Sequence, residues 1–369
     1  MIIQSISVYR LSIPMVPFTI ATGTMHYAQN VFLRIKTRSG LVGVGECSAF
    51  PMIAGETQDT CMVLARDFAQ LWVGHDASLI EARLSELNYC IAGNHTIKSA
   101  FDMALYDLAA KAAGQPLYQY LGGTYAEPES DITVGIDTPE KMAHRAKELI
   151  NHRKVNFLKV KLGMDAEQDI KRIYQIRKAI GDQIALRLDA NQGWDYESAV
   201  MVTTSLEDMN IEFCEQPMHR RLDDKMPSLR RISKIPIMAD ESVFDHYDAI
   251  RLTRAKACDY INIKLSKAGG LHEALKIHEV CQHAEVPNMI GGMLESRLAL
   301  SAKVHFALAA PNVRFYDLDT CLLGHKEDPV IGGAVYDGMK LKITDAPGIG
   351  ADIDDAWLRN KESFTITEN

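Results

Sequence analysis

The sequence has no motif for the commonest cofactors. No C-x-x-C pair and no H-E-x-x-H appears, so a zinc site of the usual kinds is not expected. No G-x-G-x-x-G follows a strand-like run, and the glycines at 40, 43 and 45 lack the G-K-[ST] of a phosphate loop. No apolar run reaches the length of about 18 residues that a membrane span needs. The start, Met1-Ile2-Ile3-Gln4-Ser5, lacks the basic and apolar regions of a signal peptide. Basic residues are in deficit: 40 Lys and Arg against 48 Asp and Glu give a net charge of −8, which argues against nucleic acid as a partner. The seven cysteines are odd in number and scattered, which fits free thiols in a reducing compartment. A cytoplasmic protein is expected.

What is present is a core-forming chain of 369 residues with 47% hydrophobic and 24% charged residues. That is long enough for two domains or one large barrel with additions. Residues 1–46 read as antiparallel strands. Ile2 to Leu11 alternates in part, Asn30 to Thr37 alternates clearly, and Ser39-Gly40 supplies a turn before Leu41 to Glu46. Residues 57–121 read as helical, with one segment from Gln58 to Trp72 and a clear 3-4 apolar period from His95 to Ala113.

From Asp131 the pattern changes. Short apolar runs end in charged residues at a steady interval. Phe157 to Lys161 ends in Lys-x-Lys, and later runs end at Asp189, Glu215, Asp240 and Lys264, with intervals of 28, 26, 25 and 24 residues. With Ile132 to Ile136, Val286 to Ile290 and Val313 to Asp317 the strands number eight. Eight β units joined by helices imply a closed parallel barrel. An open doubly wound sheet is the alternative, but it lacks its glycine fingerprint. The beat stops near residue 323. The division expected is an α+β capping region over 1–125, a barrel over 126–322, and a segment over 323–369 that returns to the capping region.

In such a barrel, functional groups sit at the C-terminal ends of strands. Asp189, Glu215 and Asp240 would converge there. Asp189 or Asp240 alone also fits a helix N-cap. Together they repel one another unless a cation lies between them, and oxygen ligands suit Mg²⁺ before Ca²⁺. Lys159 and Lys161 share a face of the second strand, and Lys264 ends the sixth, so lysines flank the carboxylates on both sides. A lysine near Mg²⁺ and another lysine loses part of its preference for the charged form and can act as a base. A substrate carboxylate on Mg²⁺ has an acidified α-proton. One lysine would remove it, the metal would hold the enediolate, and the other lysine would return a proton to the opposite face. That is racemisation or epimerisation. A Schiff-base lysine is the rival, but it needs no metal arc. Asp317 and Asp319 share a face after the eighth strand and would suit a substrate ammonium group.

The motifs Lys159-Val160-Lys161, Asp189-Ala190-Asn191, Cys214-Glu215-Gln216-Pro217, Ala239-Asp240-Glu241-Ser242 and Ile263-Lys264-Leu265-Ser266-Lys267 resemble the enolase superfamily, in its muconate-lactonising subgroup. Ala104-Leu105-Tyr106-Asp107-Leu108 and Gly292-Met293-Leu294-Glu295-Ser296 match as well, so the resemblance covers nearly the whole chain. It implies a modified TIM barrel, (β/α)₇β, with an α+β cap. It implies one Mg²⁺ on Asp189, Glu215 and Asp240, with Lys161 and Lys264 as the acid/base pair and Lys159 lowering the pKa of Lys161. Asp317-x-Asp319 resembles the dipeptide epimerases. There the pair holds the α-ammonium group of a dipeptide whose C-terminal residue is inverted. Thr133 and the Gly292-Met293-Leu294 backbone would line the same substrate. A homo-oligomer is expected.

One departure bears on specificity. Where Ala-Glu epimerases of that family carry an arginine, this chain has Gly23, and Thr19 to Gln29 contains no Lys, Arg, Asp or Glu. The second loop, Phe50 to Ala54, is apolar too. A buried substrate carboxylate would find no cation there unless His26 supplied one, so small or hydrophobic dipeptides are expected. The alternatives are cycloisomerisation, o-succinylbenzoate synthesis and N-acylamino acid racemisation, none of which needs the Asp-x-Asp. Acid-sugar dehydration would call for a histidine in place of Lys264. A non-catalytic barrel would have no use for the carboxylates and both lysines.

Overall fold

A computed structural model describes residues 1–153 and 155–368; Lys154 and Asn369 lie outside the described residues. The first strands form an antiparallel sheet: β1 (Ile3–Ile20), β2 (Gly23–Thr37) and β3 (Val42–Ser48). A further strand, Ser363–Thr367, pairs with β1 and completes the order C-terminal strand, β1, β2, β3. The arms of the β1–β2 hairpin run well past the strands expected from alternation. Pro14 and Pro17 hide the pattern: β1 shifts register between Pro14 and Phe18, where the missing N–H groups do least harm. What reads as a loop from Thr19 to Gln29 is the far end of this hairpin.

Helices Gln58–Trp72, Ile80–Cys90 and His95–Ala112 cover the sheet. The first buries Cys61, Met62, Ala65, Phe68, Ala69 and Trp72 along one stripe and starts on a Thr57–Thr60 capping box. Phe68 and Trp72 both meet Phe101 edge to face. Each such buried aromatic contributes roughly 2–3 kcal/mol. His95–Ala112 is buried nearly all round, because it lies between sheet and barrel. This explains Gly43 and Gly45. A Cβ at either would come within 2.4 Å or 1.9 Å of the Ala104 or Ala100 carbonyl oxygen, so the glycines let the helix rest on β3.

The second half is a parallel sheet in the order β11 to β4: β4 (Ile132–Val134), β5 (Phe157–Lys161), β6 (Ala185–Asp189), β7 (Ile211–Glu215), β8 (Ile237–Ala239), β9 (Tyr260–Ile263), β10 (Asn288–Gly291) and β11 (Val313–Asp317). Seven helices alternate with them: Pro139–His152, Ala166–Ile180, Tyr196–Ser205, Met226–Ile232, His246–Ala255, Leu271–His283 and Arg297–Ala309. The ring nearly closes, with the Asp131 N–H donating to the Tyr316 carbonyl at 3.0 Å. This is a (β/α)₇β barrel. Strands buried on both faces send alternate side chains to the helices and to the interior. Leu158 and Val160 join the main core, while Lys159 and Lys161 point inwards. Phe213, Met238 and Met289, with Tyr260 and Phe315, fill the floor of the barrel. Among the described residues, no helix is long and apolar enough to cross a membrane.

Candidate functional site

Strand register decides which charges meet. Lys161 lies beside Asp189, and Asp189 beside Glu215. Asp240 and Lys264 come one residue after β8 and β9. All five therefore reach one rim. Lys161 Nζ donates to Asp189 Oδ2 at 2.6 Å. Lys159 Nζ is 2.6 Å from both Glu215 Oε2 and Asp317 Oδ2, and 3.2 Å from Asp189 Oδ2. Lys264 Nζ is 2.6 Å from Asp240 Oδ2. Lys267 holds the other oxygen, Asp240 Oδ1, at 2.7 Å. Asn262 Nδ2 donates to Glu215 Oε1 at 2.7 Å. The structure thus brings Lys159, Lys161, Asp189, Glu215, Asp240 and Lys264 together, each less than a tenth exposed.

Burial pushes these carboxyls up, and their neighbours sort them. Asp189 adds to the effect at Glu215, which is raised to about 8. At Asp189, Lys161 and Lys159 overcome burial and lower it to about 2. Lys264 and Lys267 hold Asp240 below the usual carboxylate range. In return, against burial, Asp240 and Glu215 hold Lys264 above its ordinary value. Asp317, Glu215 and Asp189 raise Lys159 in the same way. The lysines here are counter-ions to the carboxylates.

The donor set fits a hard cation. Glu215 Oε2 and Asp240 Oδ2 are buried without a hydrogen bond of proper geometry, and each instead abuts an ammonium group. Three buried carboxylates with oxygens turned to lysines, and no sulfur or imidazole among them, suit Mg²⁺. Asn191, Gln192 and Gln216 follow Asp189 and Glu215 with φ of 41°, 70° and 35°. Such left-handed non-glycine backbone costs energy and gathers at functional sites.

Another group of three carboxylates escaped sequence reading in part. Asp131, Asp317 and Asp319 each offer an oxygen within 4.8 Å of the others. Among the described residues, Asp189, Glu215 and Asp240 do not make such a group; Lys159 lies between Asp189 and Glu215, and Lys264 lies against Asp240. Asp319 Oδ2 accepts from the Thr133 N–H at 2.6 Å, and Asp131 Oδ2 accepts from Arg187 Nη1 at 2.9 Å. Arg187 also donates to Glu212 and lies over Phe157. The signal for Asp131 and Arg187 was parity: they stand two residues before Thr133 and Asp189, hence on the same inward face.

The loop Gly292-Met293-Leu294 after β10 is held from both sides. Glu295 Oε2 accepts from the Met293 N–H at 2.6 Å and Ser48 Oγ from the Leu294 N–H at 3.2 Å. Asn30 Nδ2 donates to the Leu294 carbonyl at 3.1 Å. Glu46 accepts from the Ser296 N–H at 2.8 Å, the Ser296 hydroxyl at 2.6 Å and the Ala299 N–H at 3.1 Å, at the start of the helix Arg297–Ala309. Three capping residues thus fix a barrel loop, a role that no local pattern announces across some 250 residues.

Above the rim lies the hairpin. Ile20, Met25, Ala28 and Phe50 pack with Met293 and Leu294. The Thr19 carbonyl accepts from the Ile136 N–H at 3.1 Å, and Ala21 packs near Gly163. A Cβ at Gly23, where φ is 148°, would lie 3.1 Å from Met52 Sδ. His26 is exposed, so it supplies no charge to this buried face.

Comparison with known proteins gives the same picture over the whole chain. Residues 4–122 match the N-terminal domain of mandelate racemase / muconate lactonizing enzyme, and residues 141–357 match the enolase C-terminal domain-like family. The chain is similar to a D-Ala-D/L-Ala epimerase of Cytophaga hutchinsonii, 42% identical over 99% of this chain and all of that one. The structure of a dipeptide epimerase from that organism, complexed with Mg and D-Ala-L-Val, superimposes with a TM-score of 0.98 over both full chains. A hydrophobic dipeptide epimerase of Enterococcus faecalis is 40% identical over 90% of this chain and 94% of its own length. An L-Ala-D/L-Glu epimerase of Bacillus subtilis is 38% identical over 92% of this chain and 94% of its own.

Proposed function

Since the chain belongs to the enolase superfamily, with both domains of the mandelate racemase / muconate lactonizing type, we propose that it is a Mg²⁺-dependent epimerase of dipeptides with small or hydrophobic side chains, inverting the α-carbon of the C-terminal residue. The observation that carries this is the pair of lysines flanking a buried carboxylate arc, with Asp317 and Asp319 beside them.

Asp189, Glu215 and Asp240 would hold the ion, which supplies Lewis-acid stabilisation for charge developing on the substrate carboxylate. Asp317 and Asp319 orient the substrate through its α-ammonium group. Thr133 and the 292–294 backbone line the same space. Lys161 and Lys264 stand on opposite sides of the arc, so one takes the α-proton and the other returns one to the opposite face; a positioned base of this kind contributes about 10²–10⁴-fold. Lys159 sits between Glu215 and Asp317 and tunes the charge around Lys161. Lys267 and Asn262 keep Asp240 and Glu215 in place.

The apolar hairpin supports the side-chain preference, because a buried substrate carboxylate would meet Met25, Phe50 and Met293 and no cation. The division into 1–125, 126–322 and 323–369, a homo-oligomer and a cytoplasmic setting belong to the same reading; the seven cysteines are all free. The test is a dipeptide library in D₂O with Mg²⁺, read as a mass shift. Exchange in Ala-hydrophobic dipeptides is expected. A higher kcat/KM for L-Ala-L-Glu than for every one of them overturns the preference, and no exchange in any dipeptide overturns the activity.

A further inference from the structure

Asp131 takes no part in the reading above, yet it lies against the residues that do. It is fully buried. One oxygen is tied to Arg187, while Oδ1 has no hydrogen-bond partner among the described residues. A buried carboxylate oxygen without a donor is costly, and the nearby groups do not relieve it. Around it stand Asp317 and Asp319 from the end of β11, Lys159 from β5, Arg187 from β6 and, behind the guanidinium, Glu212 from β7. Lys161 and Lys264 act on Asp317 from further round the rim.

Three carboxylates face two cations. Arg187 is also shared with Glu212. The cluster is at least one positive charge short. In a dry site that deficit is met by a proton on a carboxyl or by a bound cation.

We propose that Asp131 is a third carboxylate of the ammonium site, and that Asp131, Asp317 and Asp319 hold one proton in the free protein and release it to solvent when the substrate's α-ammonium group enters. The inference rests on the dipeptide reading and adds to it the group that balances the charge. Burial, reinforced by Asp317, raises Asp131 to about 7. Asp319 is raised further by burial, Asp317 and Asp131, although the Thr133 N–H opposes this. Asp317, beside Lys159, is lowered. The sign follows: the free form binds a proton that the complex lacks, so affinity rises with pH while the proton is present. It falls again once the dipeptide amine, with an ordinary value of about 7.7–8.0, loses its own proton.

The experiment is titration calorimetry of the Mg²⁺-loaded protein with D-Ala-L-Val in buffers of different ionisation enthalpy near neutral pH. Wild type should release about one proton per dipeptide bound. Asp131→Asn leaves lysines and metal ligands unchanged and should abolish that release, with affinity about tenfold lower. Should that variant not fold, Asp319→Asn carries the same expectation for the proton. No release by wild type overturns the proposal, as does unchanged release in the folded variant. Absence of dipeptide binding by wild type overturns the substrate reading itself.

Discussion

The rim of the barrel and the hairpin above it are built from opposite materials. At the rim, lysines and carboxylates are packed within 2.6–3.2 Å of one another with almost no exposure. The hairpin from Thr19 to Gln29 has no Lys, Arg, Asp or Glu, and the face turned to the rim is Ile20, Met25 and Ala28. A buried charged set demands fixed partners, since each unpaired member costs several kcal/mol. An apolar cover makes no such demand and can change its shape at about 1 kcal/mol per exchanged methylene. On the function proposed above, reaction type would reside in the rim, and selection among substrates in the hairpin.

Changes at the rim should have the largest effects. Lys161→Ala or Lys264→Ala should each lower the rate of inversion by about 10³-fold or more, followed by proton NMR or optical rotation. Loss of only a few-fold from both would remove the lysines from proton transfer. Chelation of Mg²⁺ should abolish α-proton exchange, and restoring Mg²⁺ should return it. Next comes Asp319→Asn, which should cost about 10²-fold in kcat/KM for dipeptides, since breaking a buried charge contact costs about 3 kcal/mol. The same change should leave N-acylated amino acids untouched. A dipeptide rate unchanged in that variant would favour N-acylamino acid racemisation.

Where hairpin side and rim meet, intermediate effects are expected. Glu46→Gln leaves three donors at the start of the helix Arg297–Ala309 with a single oxygen, at a cost of about 1–3 kcal/mol. KM should rise about tenfold with a smaller change in kcat, because the 292–294 backbone loses its support. Smallest are changes within the cover. Met52→Arg should improve L-Ala-L-Glu relative to L-Ala-L-Val by about 3- to 10-fold, an exposed or half-buried ion pair being worth about 1 kcal/mol. A larger gain would mean that selection rests on this position alone.

The rim was legible from the sequence because a parallel barrel puts its working groups at one end of evenly spaced strands. Lys161, Asp189, Glu215, Asp240 and Lys264 mark those ends. Asp131 was overlooked because it stands just before its strand, although its parity with Thr133 turns it inwards. Arg187 was passed over as a lone charge inside an apolar run, although its parity with Asp189 turns it inwards. The hairpin hid behind Pro14 and Pro17, which break the alternation while the strand continues through a register shift. Glu46, Ser48 and Asn30 act on residues some 250 positions away, and no short-range pattern encodes that.

The pairing of β1 with Ser363–Thr367 has a consequence for how the molecule assembles. Ser5 lies opposite Thr367, and Tyr9 opposite Ser363. Until residues 363–367 have been synthesised, one edge of the first sheet has unpaired N–H and C=O groups, open to any other strand. Local strand–helix units of the barrel can form early on the ribosome, whereas this edge waits for a strand near the far end of the described residues. The vulnerable species in biosynthesis is therefore a chain with a nearly finished barrel and a bare β1. Removing residues 363–367 would be felt first as aggregation during folding.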